Sequence, residues 1–399
     1  MTAVTDHRPI RLAVLDDGLF VRTHAGEVRP LSATFNRFVE AVARNGAFER
    51  VRYIVPVRQL RHAETEPTLE PIDEQHLEIV PTAFFSGIAD YLLRASYLCL
   101  RNWSPIDRAI SDSDLVWLRL PASNALLALA AAHRHAVPHF GWLAGSVRAV
   151  ARAQRRPAPL GWVAQAVGSG YDAVSQLAGR SGPLIRLDAD LFASAVTAAE
   201  VEQTRAAMAS PRSEGPWRVV WAGRMATEKG LPELIEAVRL VRQGDRDVSL
   251  VLIGDGPARP ALERALDLPA DRIEDHGYVG DRIAYMNLLR GGDILLHPSH
   301  AEGVPKVLVE AMAAGLPIVA ADAGAVREVL GAGERGRIVP VANAPTLADA
   351  AGELLDAPDD RAALRERGLA WAAQHTAEAQ AARLIGRLRI EFPQLDWPS

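Results

Sequence analysis

The chain has 399 residues, 49% of them apolar and 23% charged, with a formal net charge of −5. That length is too great for one ordinary hydrophobic core and predicts two domains. The composition is that of a globular protein, with no segment long and charge-free enough to cross a bilayer. Residues 1–199 hold 21 basic and 19 acidic side chains and the remainder 23 and 30, so the halves stand at +2 and −7. Neither value, without a basic stripe interleaved with aromatics, points to nucleic acid as a partner. The first residues lack the apolar core of a signal peptide and Cys99 is the sole cysteine, so the expected location is the cytoplasm, with membrane contact peripheral at most.

In chain order, Arg11–Leu15 is an apolar run closed by Asp16, Asp17 and Gly18, as a buried strand of a parallel sheet ends in a ligand-facing loop. A polar stretch to Arg29 follows. Leu31–Arg44 has helical spacing, and Val51–Val57 and His76–Pro81 read as strands. Phe84–Trp103 reads as a helix whose broad apolar face of Tyr91, Leu92, Leu93, Tyr97, Leu98 and Leu100 belongs in a core rather than on a membrane interface. Asp114–Leu120, Ala122–Arg134 and Val137–Leu143 then alternate strand, helix, strand, and Gly161–Leu177 and Leu184–Leu187 complete a first doubly wound α/β domain. Arg148, Arg152, Arg155 and Arg156 form a basic cluster read as a solvated helix face.

The expected domain boundaries are 1–207, a Pro- and Gly-containing linker at 208–216, a second domain over 217–376, and a C-terminal helix at 377–399 packing back on the first domain. Strands are predicted at Arg218–Ala222, Leu250–Ile253, Ile273–His276, Ile294–Leu296, Ile318–Ala321 and Arg337–Val341, and the tail from Thr346 to Glu391 is helical.

The second domain carries the motifs. Residues 297–315 read as the end of a strand, a polar loop and a helix, with Pro305 suited to the first helical position. Free backbone N–H groups from about Lys306 onward would favour an anion such as phosphate. Glu302 in the loop and Glu310 in the helix suit hydroxyl donors, because a carboxylate can accept from two neighbouring hydroxyls. Phosphate beside a polyol suggests a nucleotide sugar. Upstream, the strand ending at Gly223 leads to Arg224 and Lys229, two cations flanking one turn at the carboxyl end of a parallel strand, with a surface loop of ordinary charges as the competing interpretation. Only Lys229 and Lys306 are lysine among 44 basic residues, and both fall in motif regions. Gly254-Asp-Gly256 begins like a dinucleotide fingerprint, but Arg259 stands at the third glycine position. Gly277 and Gly280 bracket Tyr278 and Val279, which would let backbone groups meet a base edge.

In order and spacing, Gly223-Arg224, Glu228-Lys229-Gly230, Gly254-Asp-Gly256, Gly277-Tyr-Val-Gly280, Pro298-Ser299, Glu302-Gly303 and Glu310-Ala-Met-Ala-x-Gly-x-Pro317 resemble the large GT-B family of retaining glycosyltransferases, glycosyl transferases group 1, over roughly residues 217–345. The resemblance implies two doubly wound Rossmann-like α/β domains with an interdomain cleft. It implies that Arg224 and Lys229 contact the diphosphate, Glu310 the ribose and Glu302 the transferred sugar. It also implies that backbone at Gly223, Gly254, Tyr278 and Val279 lines the nucleotide, and that Gly303, Val304 and Pro305 approach sugar and phosphate. No metal and no cofactor is implied beyond the nucleoside diphosphate sugar itself, UDP ahead of GDP, and the acceptor is a hydroxyl of a glycan, lipid-linked intermediate or small metabolite. Where relatives often carry His-Gly at the end of the strand after the central helix, this chain has Ala144-Gly145, leaving His24 and His139 as candidate replacements. Competing readings are a nucleotide-sugar 2-epimerase, a non-catalytic nucleotide-sugar-binding protein and an NAD-dependent dehydrogenase.

Overall fold

The computed structural model describes residues 10–31, 34–61, 71–143, 160–208, 215–266 and 268–398. Arg148, Arg152, Arg155, Arg156, Ala144-Gly145 and most of the expected linker at 208–216 lie outside the described residues.

The first compact unit comprises residues up to Leu187 together with Ala381 onward. Its elements are β1 (Ile10–Leu15), β2 (Phe20–Arg22), β3 (Val28–Pro30), α1 (Thr34–Arg44), β4 (Phe48–Gln59), β5 (Leu77–Ala83), α2 (Ile88–Leu93), α3 (Ala95–Ser111), β6 (Leu115–Leu120), α4 (Ala125–Arg134), β7 (His139–Leu143), α5 (Leu160–Ser181) and β8 (Leu184–Arg186). Among the described residues the strands make one sheet in the order β3-β2-β4-β1-β6-β7-β8, with β5 also paired to β4. All pairings are parallel except the β2–β3 hairpin. That hairpin occupies the stretch read as polar loop: β4 runs past the end of β1, and β2 takes the vacated edge with Phe20 opposite Val57. Phe38, Trp117, Phe140 and Trp142 form the aromatic heart of the unit, with Trp117 5.8 Å from Phe38 and 5.5 Å from Trp142.

The apolar face predicted for 84–103 is only partly core. Arg94 separates α2 from α3, so the two helices present different faces. Tyr91 and Leu98 are buried, whereas Leu92, Leu93, Tyr97 and Leu100 are exposed, Leu93 at 87% and Leu100 at 83%.

The second unit spans Asp188–Gln380. It contains α6 (Ala198–Ala207), β9 (Trp217–Ala222), α7 (Leu231–Gln243), β10 (Val248–Ile253), α8 (Arg259–Ala265), β11 (Ile273–Asp275), α9 (Arg282–Arg290), β12 (Ile294–His297), α10 (Lys306–Ala313), β13 (Ile318–Ala321), α11 (Val326–Val329), β14 (Arg337–Val339), α12 (Ala344–Asp356) and α13 (Pro358–Ala373). Its sheet is wholly parallel, in the order β11-β10-β9-β12-β13-β14. Helices on both faces bury β10 and β12 along their whole length, so these strands read as unbroken apolar runs.

The units part at Leu187/Asp188, about twenty residues before the Pro- and Gly-rich stretch. The reason is α6, whose Thr204 hydroxyl accepts from Arg290 Nε at 2.9 Å and so fastens it to α9. The last helix, α14 (Ala377–Glu391), groups with the first unit from Ala381 onward. There Phe392 lies 6.4 Å from Phe140, and Trp397 lies 5.8 Å from Phe48.

Candidate functional site

A parallel sheet of this kind binds ligands at the carboxyl edge where the strand order reverses. In the second unit the chain runs outward from β9 through β10 to β11, then returns to β12 on the other side of β9. The reversal lies between β9 and β12, whose carboxyl ends carry Gly223-Arg224 and His297-Pro298-Ser299.

Backbone contacts layer the loops there. The Gly223 N–H donates to Ile253 O at 2.9 Å and the Gly254 N–H to Gly277 O at 2.7 Å. A β-carbon at Gly254 would stand 1.9 Å from Gly223 O, so packing alone demands glycine at this position. Arg259, at the third glycine position of the failed fingerprint, ties the same loops together. Its guanidinium donates to Asp255 Oδ1 and Gly254 O, each at 2.8 Å, and to Asp275. Gly277, with φ of 59°, leads to Tyr278, which is 59% exposed, and to half-buried Val279.

Gly230 brings the Lys229 turn against β12. Its φ is 64°, and a β-carbon there would meet Pro298 O at 2.1 Å. Lys229 Nζ consequently reaches Glu302 Oε1 at 2.6 Å. His297 Nε2 lies 3.0 Å from the same oxygen, off the line of a good hydrogen bond, and is 3% exposed. Burial pushes the Glu302 carboxyl up, but the His297 contact and the charges of His297 and Lys229 outweigh it and hold the group down at about 2. The backbone of Glu302 is fixed as well, since a β-carbon on Gly324 would stand 2.0 Å from Glu302 O and Ala325 N–H donates to Gly303 O at 3.2 Å.

Pro305 caps α10 rather than occupying its first turn, because its extended ψ of 95° leaves the helix to begin at Lys306. No side chain caps this end, so its partial positive charge faces the loop of Gly303 and Val304. Arg224 is 64% exposed, with Glu228 2.8 Å away. A surface pair of this kind contributes little and leaves the guanidinium available to a stronger anion.

Glu310 sits one turn further along α10 and is more constrained than the sequence suggests. Its Oε1 accepts from Arg282 Nη1 at 2.6 Å and its Oε2 from the Tyr285 hydroxyl at 2.8 Å. Arg282 also donates to both oxygens of Glu200, at 2.8 and 3.2 Å. His297, Arg282, Tyr285 and Glu200 are absent from the sequence reading, yet two signals were present. Arg282 and Tyr285 stand three apart, on one face of a helix. Glu200 follows Thr197 at capping-box spacing, and the structure contains that box.

The two histidines considered for the first unit occupy other places. His139 begins β7, at the amino edge of its sheet, with Nε2 3.0 Å from Ser181 Oγ. Burial lowers its pKa. A β-carbon on Gly182 would stand 2.3 Å from its carbonyl, so it is a packing residue remote from the ligand edge. His24 lies in the exposed turn between β2 and β3.

Residues 216–357 match the family described as glycosyl transferases group 1. The alpha-D-kanosaminyltransferase of Streptomyces kanamyceticus is 33% identical over 174 residues, which are 43% of this chain and 45% of that relative. A GDP-mannose-dependent alpha-(1-6)-phosphatidylinositol monomannoside mannosyltransferase of Mycobacterium tuberculosis is 28% identical over 71% of this chain and 78% of its own length. Among solved structures, Anabaena HepE in complex with UDP and glucose superposes with a TM-score of 0.62 at 14% identity, covering 96% of this chain and all of that one. The first-ranked curated relatives are matched over less than half their length. The similarity to glycosyl transferases group 1 thus lies in residues 216–357, and the two Rossmann-like units have the GT-B fold of the solved structures.

Proposed function

We propose that this protein transfers a glycosyl unit from a nucleoside diphosphate sugar, UDP ahead of GDP, to an acceptor hydroxyl with retention of configuration and without a metal. The observation that carries the proposal is the grouping of Arg224, Lys229, the uncapped start of α10 and an ionised, buried Glu302 at one sheet reversal. HepE was solved with UDP and glucose, and the M. tuberculosis relative is named as GDP-mannose-dependent. Both fit a site that has to hold a diphosphate beside a polyol.

Arg224 leaves Glu228 to form paired hydrogen bonds with phosphate oxygens. Lys229 has three N–H donors, so it can retain Glu302 while turning another toward the diphosphate. Glu302, ionised at any physiological pH, accepts from sugar hydroxyls. Glu310 keeps lone pairs beyond those taken by Arg282 and Tyr285, and these suit ribose hydroxyls. As the bond from the anomeric carbon to the phosphate oxygen breaks, the electron pair departs with the diphosphate, where the two cations and the helix end stabilise it. The acceptor oxygen bonds to the same face of the anomeric carbon, and its proton passes to the departing phosphate oxygen.

A thermal-shift series with UDP, GDP, ADP and their common sugars tests the donor half. A ligand at a hundred times its dissociation constant should stabilise the protein by about 2.7 kcal/mol. Replacing Arg224 by Ala should slow transfer by about 10²–10³-fold, the cost of one lost charge-stabilising donor. An unchanged rate in that variant would remove Arg224 from the mechanism.

A further inference from the structure

The protein itself holds both oxygens of Glu310. Arg282 Nη1 donates to Oε1 at 2.6 Å and the Tyr285 hydroxyl to Oε2 at 2.8 Å, and no other group among the described residues donates to this side chain. It keeps 13% of its surface open. A carboxylate offers about four lone-pair sites, so one on each oxygen is left to accept from outside.

The two donors are fixed in turn. Asp281 caps α9 by accepting from the Ala284 N–H at 3.0 Å, which sets the turn from which Arg282 and Tyr285 project on one face. The Arg282 guanidinium stands 5.4 Å from the centre of the Tyr285 ring. Its Nε and Nη2 fork onto the two oxygens of Glu200 while Nη1 goes to Glu310. Glu200 is anchored by its capping box, with Oε2 accepting from the Thr197 N–H at 2.9 Å, and its carbonyl accepts from Arg290 Nη2 at 3.0 Å. Burial opposes the charge on Arg282, but Glu310 and Glu200 outweigh it. Burial and the Glu310 charge push the Tyr285 phenol far up, so both groups stay donors at physiological pH.

A carboxylate on an unconstrained side chain turns toward whichever donor is nearest, and so distinguishes poorly between one hydroxyl and two. Turning Glu310 would strand the Tyr285 hydroxyl and break the charged contact with Arg282, both taken out of water. Its remaining lone pairs therefore keep a set spacing, which suits two neighbouring hydroxyls. A ligand lacking one of them leaves a lone pair unmatched, which is how a site built to bind a hydroxyl rejects the analogue without it. We propose that Arg282 and Tyr285 are positioning residues that lock Glu310 to read the adjacent 2′- and 3′-hydroxyls of ribose, with Glu200 holding Arg282 in place. This role rests on the transferase reading, in which Glu310 faces the ribose of the donor nucleotide.

Ligand-observed NMR titrations of UDP, 2′-deoxy-UDP and 2′,3′-dideoxy-UDP test it in the natural chain and in Tyr285→Phe, Arg282→Lys and Glu200→Gln. The natural chain should bind UDP about tenfold more tightly than 2′-deoxy-UDP and about a hundredfold more tightly than the dideoxy compound. Tyr285→Phe removes one oxygen atom, and Arg282→Lys keeps the charge but not the fork. Each should weaken UDP by about tenfold and leave 2′,3′-dideoxy-UDP within about twofold of its natural affinity, which also reports that the variants fold. Glu200→Gln keeps an oxygen for the Thr197 N–H and should weaken UDP several-fold, again sparing the dideoxy compound. Unchanged UDP affinity in both Tyr285→Phe and Arg282→Lys, or loss of UDP and dideoxy-UDP by the same factor, overturns the positioning role. Equal binding of UDP and dideoxy-UDP by the natural chain overturns the ribose contact of Glu310, and the positioning role with it. No nucleotide bound at all overturns the transferase reading beneath both.

Discussion

Two carboxylates at two sheet reversals are pushed in opposite directions, and the difference is what their neighbours supply. Glu302 is held at about 2 despite burial, because His297 and Lys229 crowd one of its oxygens. A depressed carboxylate adds stability that is complete above its ordinary value of 4.5 and is lost as pH falls toward 2. Glu302→Gln should therefore destabilise the protein at pH 7 by about 2–4 kcal/mol, since it also leaves Lys229 and the buried His297 without their carboxylate partner. Urea unfolding at pH 7 and pH 3 should show that cost shrinking at the lower pH. Asp17 goes the other way, raised from 3.8 to about 6 by burial first, with the Ser123 hydrogen bonds opposing. The fold then favours its protonated form, so the penalty of ionising it grows from pH 4 to pH 6 and is constant above. Asp17→Asn should stabilise the protein by about 1–3 kcal/mol at pH 7.5 and by nearly nothing at pH 4. An equal effect at both values would show that the carboxyl is not buried as described.

At the scale of elements, the reversal in the second unit depends on glycines that let loop backbones touch. Gly254 combines a φ of 136° with a β-carbon position 1.9 Å from Gly223 O, so it cannot take a side chain without moving the β9 loop. Gly254→Ala should cost at least about 2 kcal/mol in chemical denaturation and weaken nucleotide binding together with it. Such glycines were legible as a pattern, but their reason was not: the sequence suggests a ligand contact, and the structure supplies a backbone contact sufficient by itself. The strands of this unit were legible because both faces are covered and each is an unbroken apolar run. The β2–β3 hairpin was not, its strands being three residues each. Nor was α6, which buries only Glu200, Val201 and Thr204 and so lacks an apolar stripe. Its capping box was the only local mark, and through Glu200 it connects to Arg282 and Glu310.

For the whole molecule, alternation of strands and helices disclosed two α/β units, while their boundary followed tertiary contacts rather than proline and glycine content. The donor motifs were legible because they lie within about ninety residues in fixed order, Gly223 to Glu310. The contact between Asp17 and Ser123 was not, because it spans 106 positions. The proposed activity ties these observations to one reaction. It is tested most directly by proton NMR of UDP-glucose incubated with the protein, with and without a panel of neutral polyols. The account predicts UDP release only when an acceptor is present, with the new glycosidic anomer matching the donor's. Conversion of the donor sugar without acceptor, an inverted anomer, or bound donor with no UDP released under any polyol would contradict it.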